Sequence, residues 1–168
     1  MSISKDIKQS VFISSRQKAL INLLFTYGWA LERIKKILSL YGLTHQQFNI
    51  LRILRGSFPK PLSTLQIRGR MLDKMSDTSR VVDRLVIKGL AEKTISSADK
   101  RFVDVIISEK GQQLLKQIDE GPDIILSVLS HLSEEEAEYL SYLLDKIRHS
   151  GNIDIALTAA SKLQDMRN

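Results

Sequence analysis

Cysteine is absent from the 168 residues, and that gap removes disulfides, thiolate nucleophiles, Cys-ligated zinc and thiol-based redox sensing. Only three prolines and eight glycines punctuate the chain, and aromatic residues make up just 6%, a balance that favours helices over an all-β sandwich. No uncharged apolar run approaches the ~20 residues of a membrane span. The opening stretch MSISKDIKQSVFISSRQK lacks the apolar core of a signal peptide. These absences lead to the expectation of a soluble, cytoplasmic protein with a single domain over 1–168. His45, His131 and His149 are too dispersed for a metal site. No nucleophile–base pair or glycine-rich phosphate loop stands in the chain, so no catalytic residue, metal or cofactor is expected. The run Glu134–Glu136 resembles paired catalytic carboxylates, but negative charge at a helix N-terminus explains it better.

What is present is an ordinary globular composition, 43% hydrophobic and 26% charged, with a formal net charge of +6. Such an excess points to a polyanionic partner, and nucleic acid is the usual one. The charge is segmental. Lys or Arg stands at 55, 60, 68, 70, 74, 80, 84, 88, 93, 100 and 101, whereas 119–138 carries seven acids and neither Lys nor Arg.

From about Arg16 to Tyr41, apolar residues recur at helical spacing, with Ser14 or Ser15 to cap the start and Gly42 to end it. So wide an apolar face on so long a helix suggests that part of it meets another chain. Thr44–Gln47 and Ser63–Gln66 each read as a capping box opening a helix. The second box starts a short helix with Leu65, Ile67 and Met71 or Leu72 inward. After a turn near Asp73–Met75, a further helix is predicted from about Ser76 to Lys88, with Val81, Val82 and Leu85 inward. Together these two make a helix-turn-helix. Ala91–Ser96 and Phe102–Ile107 read as a β-hairpin around a charged tip, Ser97–Arg101. Ser108 caps a helix through Leu114, Leu115 and Ile118. Ser133–Glu136 is the clearest capping box, opening a helix through Ile147. The fold class expected is mainly α with a small β-hairpin wing.

The stretches LTHQQFNILRILRG, RVVDRLVIKGL and DKRFVDVIISEKG, in that order, resemble the MarR family of bacterial winged helix-turn-helix transcription regulators. The wing's Asp-x-Arg pattern is Asp99-Lys100-Arg101. The strand-to-helix pattern V-x-L-T-x-x-G is Val105–Gly111, with Ile107 for Leu and Ser108 for Thr. The match covers about 16–149, and the tail after Gly151 lies outside it. The resemblance implies a winged helix-turn-helix over 44–108 and a helical dimerisation region over 12–42 and 109–168. It further implies a homodimer on a pseudo-palindromic double-stranded DNA operator, commonly a repressor, and a small-molecule cavity where the two regions meet.

On that reading the second helix enters the major groove and offers Ser76, Asp77, Thr78, Ser79, Arg80 and Arg84. Arg80 is the best base reader, because a guanidinium grips guanine O6 and N7 together. Ser76 and Thr78 are expected either to bond phosphate or to cap the helix. In the wing, Arg101 would enter the minor groove, Asp99 would hold it, and Lys93 and Lys100 would touch phosphates. Tyr27, Trp29, Phe48 and Arg52 are candidates for the cavity wall, although core packing is the commoner fate of such residues. The competing reading is a winged-helix module that binds a protein partner. Salt separates the two readings, because counterion release makes DNA binding fall steeply as salt rises.

Overall fold

The computed structural model describes residues 2–95, 103–121 and 126–149. The chain falls into two compact units, Met1–Ile125 and Leu126–Asn168, each taken here by itself.

The first unit opens with a single turn of helix, α1 (Ile3–Asp6), whose Ile3 is buried. α2 (Ser15–Leu40) is capped by Ser14, whose hydroxyl accepts the Gln17 N–H. It ends at Gly42, where φ is +66°, a left-handed conformation that costs glycine no side-chain clash. Of the 26 residues of α2, only Leu38 is buried. α3 (His45–Ser57) begins with the full capping box of Thr44 and Gln47 and buries Gln47, Ile50, Leu51 and Leu54. A two-residue strand, β1 (Leu62–Ser63), then runs into α4 (Thr64–Arg70), capped by Ser63 and Gln66. α5 (Thr78–Ile87), β2 (Ala91–Ile95), β3 (Val103–Ile107) and α6 (Glu109–Glu120) complete the unit.

The three strands form one antiparallel sheet in the order β1-β3-β2, with Leu62 opposite Val105 and the hairpin registered from Ala91–Ile107 to Ile95–Val103. Val105 and Ile107 turn the apolar face of β3 onto a core completed by Leu38, Ile50, Leu51, Leu54, Ile67, Val82, Leu85 and Leu115. Every helix from α2 to α6 contributes to it. Each fully buried aliphatic side chain adds roughly 1.5–3 kcal/mol of transfer free energy, so the helix-turn-helix is built on a rigid base.

The structure differs from the sequence reading at three points. Leu65, expected inward, is 70% exposed; of the alternatives Met71 and Leu72, Met71 is the buried one. A helix of two turns has too few apolar positions for its period to choose a face, and Ile67 and Met71 take the core instead. The predicted helix start at Ser76 moves to Thr78, because Asp77 is the cap. β1 was not foreseen, since two residues after Pro61 carry no periodic signal.

In the second unit a 3-10 turn, Leu126–Leu129, precedes α7 (Glu134–Arg148). Ser133 and Glu136 form the anticipated capping box, and no residue of α7 is buried. Tyr139 and Tyr142 stack at 6.3 Å between ring centroids, beside exposed Leu140, Leu143 and Ile147. The tail after Gly151 lies outside the described residues.

Candidate nucleic-acid interface

α5 is positioned by what it buries. Val82 and Leu85 go into the core, which turns Ser79, Arg80, Asp83 and Arg84 outward. Arg80 and Arg84 stand one turn apart on that outer side. The Asp77 carboxylate accepts the Arg80 N–H at 3.1 Å, so it satisfies a free backbone donor at the helix start.

Thr78 is buried, with its hydroxyl 3.3 Å from Met71 Sδ, and it forms part of the wall of the groove at the start of α5. Ser76 donates its hydroxyl to Asp73 at 2.7 Å. Lys93, read as a phosphate contact, forms a 2.8 Å ion pair with Asp83. Its charge is offset, and the pair ties β2 to α5. Ser79 lines a groove of about 350 Å³ with Leu65, Arg68 and Met75. Asp99, Lys100 and Arg101 lie outside the described residues, while the two strands that carry them are in place.

A second concavity, a cleft of about 600 Å³, lies among α2, α3 and the α4–α5 turn. Tyr27, Phe48 and Arg52 line it as expected, and Trp29 does not; the Trp29 ring is instead covered by the Arg33 guanidinium at 4.3 Å. The walls are mainly apolar, with Ala30, Leu31, Ile34 and Met71 among them. One cation of the lining, Arg52, is paired. Arg52 donates to Asp119 at 2.8 Å, and Arg55 reaches the other oxygen of the same carboxylate at 2.6 Å. Lys74 and Asp73 both line the cleft, the Asp73 carboxylate being bonded to Ser76 and Met75. Burial and the nearby Lys35 push the pKa of His45 below its ordinary value, against the opposing pull of Asp73, which favours the neutral imidazole. Sequence reading missed Asp73, Asn49 and Asp119. Asp73 has a readable signal, an acid three residues before a serine, which is the spacing of a side-chain-closed turn. The grip of Asp119 on Arg52 and Arg55 joins positions far apart in sequence and has no such signal.

Comparison with known proteins matches the same segment. The model of the MarR family fits residues 43–103. The transcriptional regulator MhqR of Bacillus subtilis is 31% identical over 118 residues, spanning 69% of this chain and 79% of the relative. This chain belongs to the MarR family. A crystal structure of a MarR transcription factor from Planctomyces limnophilus superposes with a TM-score of 0.63 at 33% identity, covering 80% of this MarR-family chain and 98% of the other. A MarR mutant from Escherichia coli, complexed with operator DNA, shares the fold with a TM-score of 0.67 at 23% identity, covering 88% and 99%. The protein is a DNA-binding transcription regulator of the winged helix-turn-helix class. Among the described residues no helix is long and apolar enough to cross a membrane.

Proposed function

We propose that this regulator is a cytoplasmic homodimer that occupies an inverted-repeat operator, represses by occluding the promoter, and is released by a small uncharged molecule. The observation that carries the reading is the outward face of α5, where Arg80 and Arg84 are exposed on a helix that buries Val82 and Leu85 and is tied to β2 by the Asp83–Lys93 pair. The dimerisation region is assigned to 12–42 and 109–168 and the DNA-binding region to 44–108. The exposed apolar residues of α2 support that division, including Leu20, Leu24 and Tyr27. Occlusion of a promoter needs no catalytic group. The cleft supports a ligand: its volume falls within the usual range for small-molecule sites, and apolar walls with Arg52 already paired suit an uncharged aromatic molecule better than a carboxylate.

Arg80→Ala is the direct test. The variant should lose ~1–3 kcal/mol per bidentate base contact and relax specificity at one position in each half-site. The half-sites should lie about one helical turn apart, because a two-fold dimer presents two identical helices. Sequence selection with both proteins checks this. Selected sites without dyad symmetry, or an equal loss on every sequence, would show that Arg80 does not read bases.

The wing makes a second prediction, resting on its sequence pattern. Arg101→Ala should weaken operator binding and flatten its salt dependence, since fewer counterions are released. Asp99→Ala should also weaken binding, although deleting an acid near a polyanion favours association by charge alone. On our reading the carboxylate orders Arg101 before DNA arrives, and without it that ordering must occur on binding. Operator affinity at two salt concentrations decides the matter. Binding by Asp99→Ala as tight as wild type would remove Asp99 from the wing's function.

A further inference from the structure

The turn between α4 and α5 is pinned at both ends. At its start the Leu72 N–H donates to Asn49 Oδ1 on α3 at 3.0 Å, and Met71 is buried. At its end Thr78 is buried against Met71 Sδ. Between these pins Asp73 gathers the chain onto its carboxylate: Oδ2 accepts the Ser76 hydroxyl at 2.7 Å and Oδ1 accepts the Met75 N–H at 3.1 Å. The same hydrogen bonds hold the Asp73 pKa below the ordinary carboxylate value. Asp77 follows and caps α5 through the Arg80 N–H.

This turn is also a shared wall. Met71–Met75 line the cleft, and Met75–Ser79 line the groove at the start of α5. Met75, 93% exposed, belongs to both.

We propose that Asp73 is the positioning residue through which an occupant of the cleft acts on the recognition helix. A molecule seated in the cleft presses on a wall whose ends, Met71 and Thr78, are fixed in the core, so displacement concentrates at 73–77. The bonds from Asp73 carry it to Ser76, and the chain carries it through the Asp77 cap to Arg80. Packed elements respond to such pressure by changing arrangement rather than by deforming smoothly. The inference rests on the effector reading of the cleft given above and adds to it the residue that joins the two sites.

The test uses the full-length protein, its selected operator, and 2-naphthol, an apolar aromatic probe that is uncharged at neutral pH. Calorimetry measures probe binding, and fluorescence anisotropy measures operator affinity with and without saturating probe. In wild type the probe should weaken operator binding about tenfold, within the usual range of coupling between sites. Ser76→Ala, outside the cleft wall, should bind the probe as wild type does, and Asp73→Asn, saturated according to its own measured probe affinity, should shift in operator affinity less than twofold on adding probe. Ser76→Ala, which keeps the charge of Asp73 and deletes one of its bonds, should respond to an intermediate degree, and it carries the test if Asp73→Asn does not fold. A full response in the folded variants overturns the proposal. So does loss of probe binding by Asp73→Asn, which makes Asp73 a ligand contact. If wild type does not bind 2-naphthol, the effector reading falls separately. Ala30→Phe, which fills the cleft from α2, then replaces the probe: weaker operator binding in wild type but not in the Asp73→Asn background supports the coupling, and equal weakening in both overturns it.

Discussion

Replacing Leu23 and Leu24 together with Asp is expected to abolish the dimer, and with it most operator binding. Within the single chain Leu24 is 62% exposed, and α2 as a whole buries only Leu38. A helix that long gains little stability from propensity alone and needs its apolar face covered. On the proposed assignment of 12–42 to the dimerisation region, a second copy covers it. Two carboxylates placed there would have to be desolvated without partners, at a cost of several kcal/mol. The expected product is a monomer or an unfolded chain. Loss of the second half-site contact should lower operator affinity by about 10²–10⁴-fold, the usual range for losing bivalent engagement. Sedimentation and circular dichroism check the result, and a well-folded double variant that remains dimeric would remove α2 from the interface.

Gly111→Ala, in the first turn of α6 against the sheet corner, should be the most damaging glycine-to-alanine change among the described residues. A Cβ at Gly111 would stand 2.2 Å from the Leu90 carbonyl oxygen and 2.9 Å from Ile107 Cγ1. The first obstacle is backbone and cannot rotate away. Nor can the backbone shift easily, since Ser108 locks this corner: its hydroxyl donates to the Gly89 carbonyl at 2.7 Å and accepts the Gly111 N–H at 3.0 Å. Its own N–H donates to Leu90 O at 3.2 Å. Overpacking against such a corner should cost about 3 kcal/mol, or roughly 6–12 °C of melting temperature for a chain of this size. Gly69→Ala is the control. A Cβ there meets nothing within 4 Å, and the helix should gain up to ~1 kcal/mol. Equal melting temperatures for the two variants would contradict the packing argument.

Helix starts were the most legible feature of the sequence. The boxes at Thr44, Ser63 and Ser133 are local, three-residue signals, and the structure forms all three. The winged architecture was legible for a different reason: helix-turn-helix followed at once by a hairpin is an order of elements and survives errors at each boundary. Gly111 was visible as part of a family pattern, but its reason was not, because the atom it must avoid belongs to Leu90, across the sheet corner. Thr78 illustrates the opposite case. A polar residue near a helix start looks fully exposed in the sequence, and only the position of Met71 shows that it is buried. The cleft was half legible through Tyr27, Phe48 and Arg52. Its other wall comes from a turn whose sequence advertises polarity rather than a binding surface.

The order β1-β3-β2 also bears on how the protein behaves when concentrated. β3 is paired on both sides, so only β1 and β2 present strand edges in this sheet. β1 is two residues long, too short to template another strand. β2 exposes Glu92, Lys93 and Thr94, and charged side chains on an edge discourage a second strand from adding to it. Fibrillar stacking through the wing is thereby disfavoured. On the proposed assignment self-association falls to the helices, and a two-fold interface there would close on itself and stop at two copies.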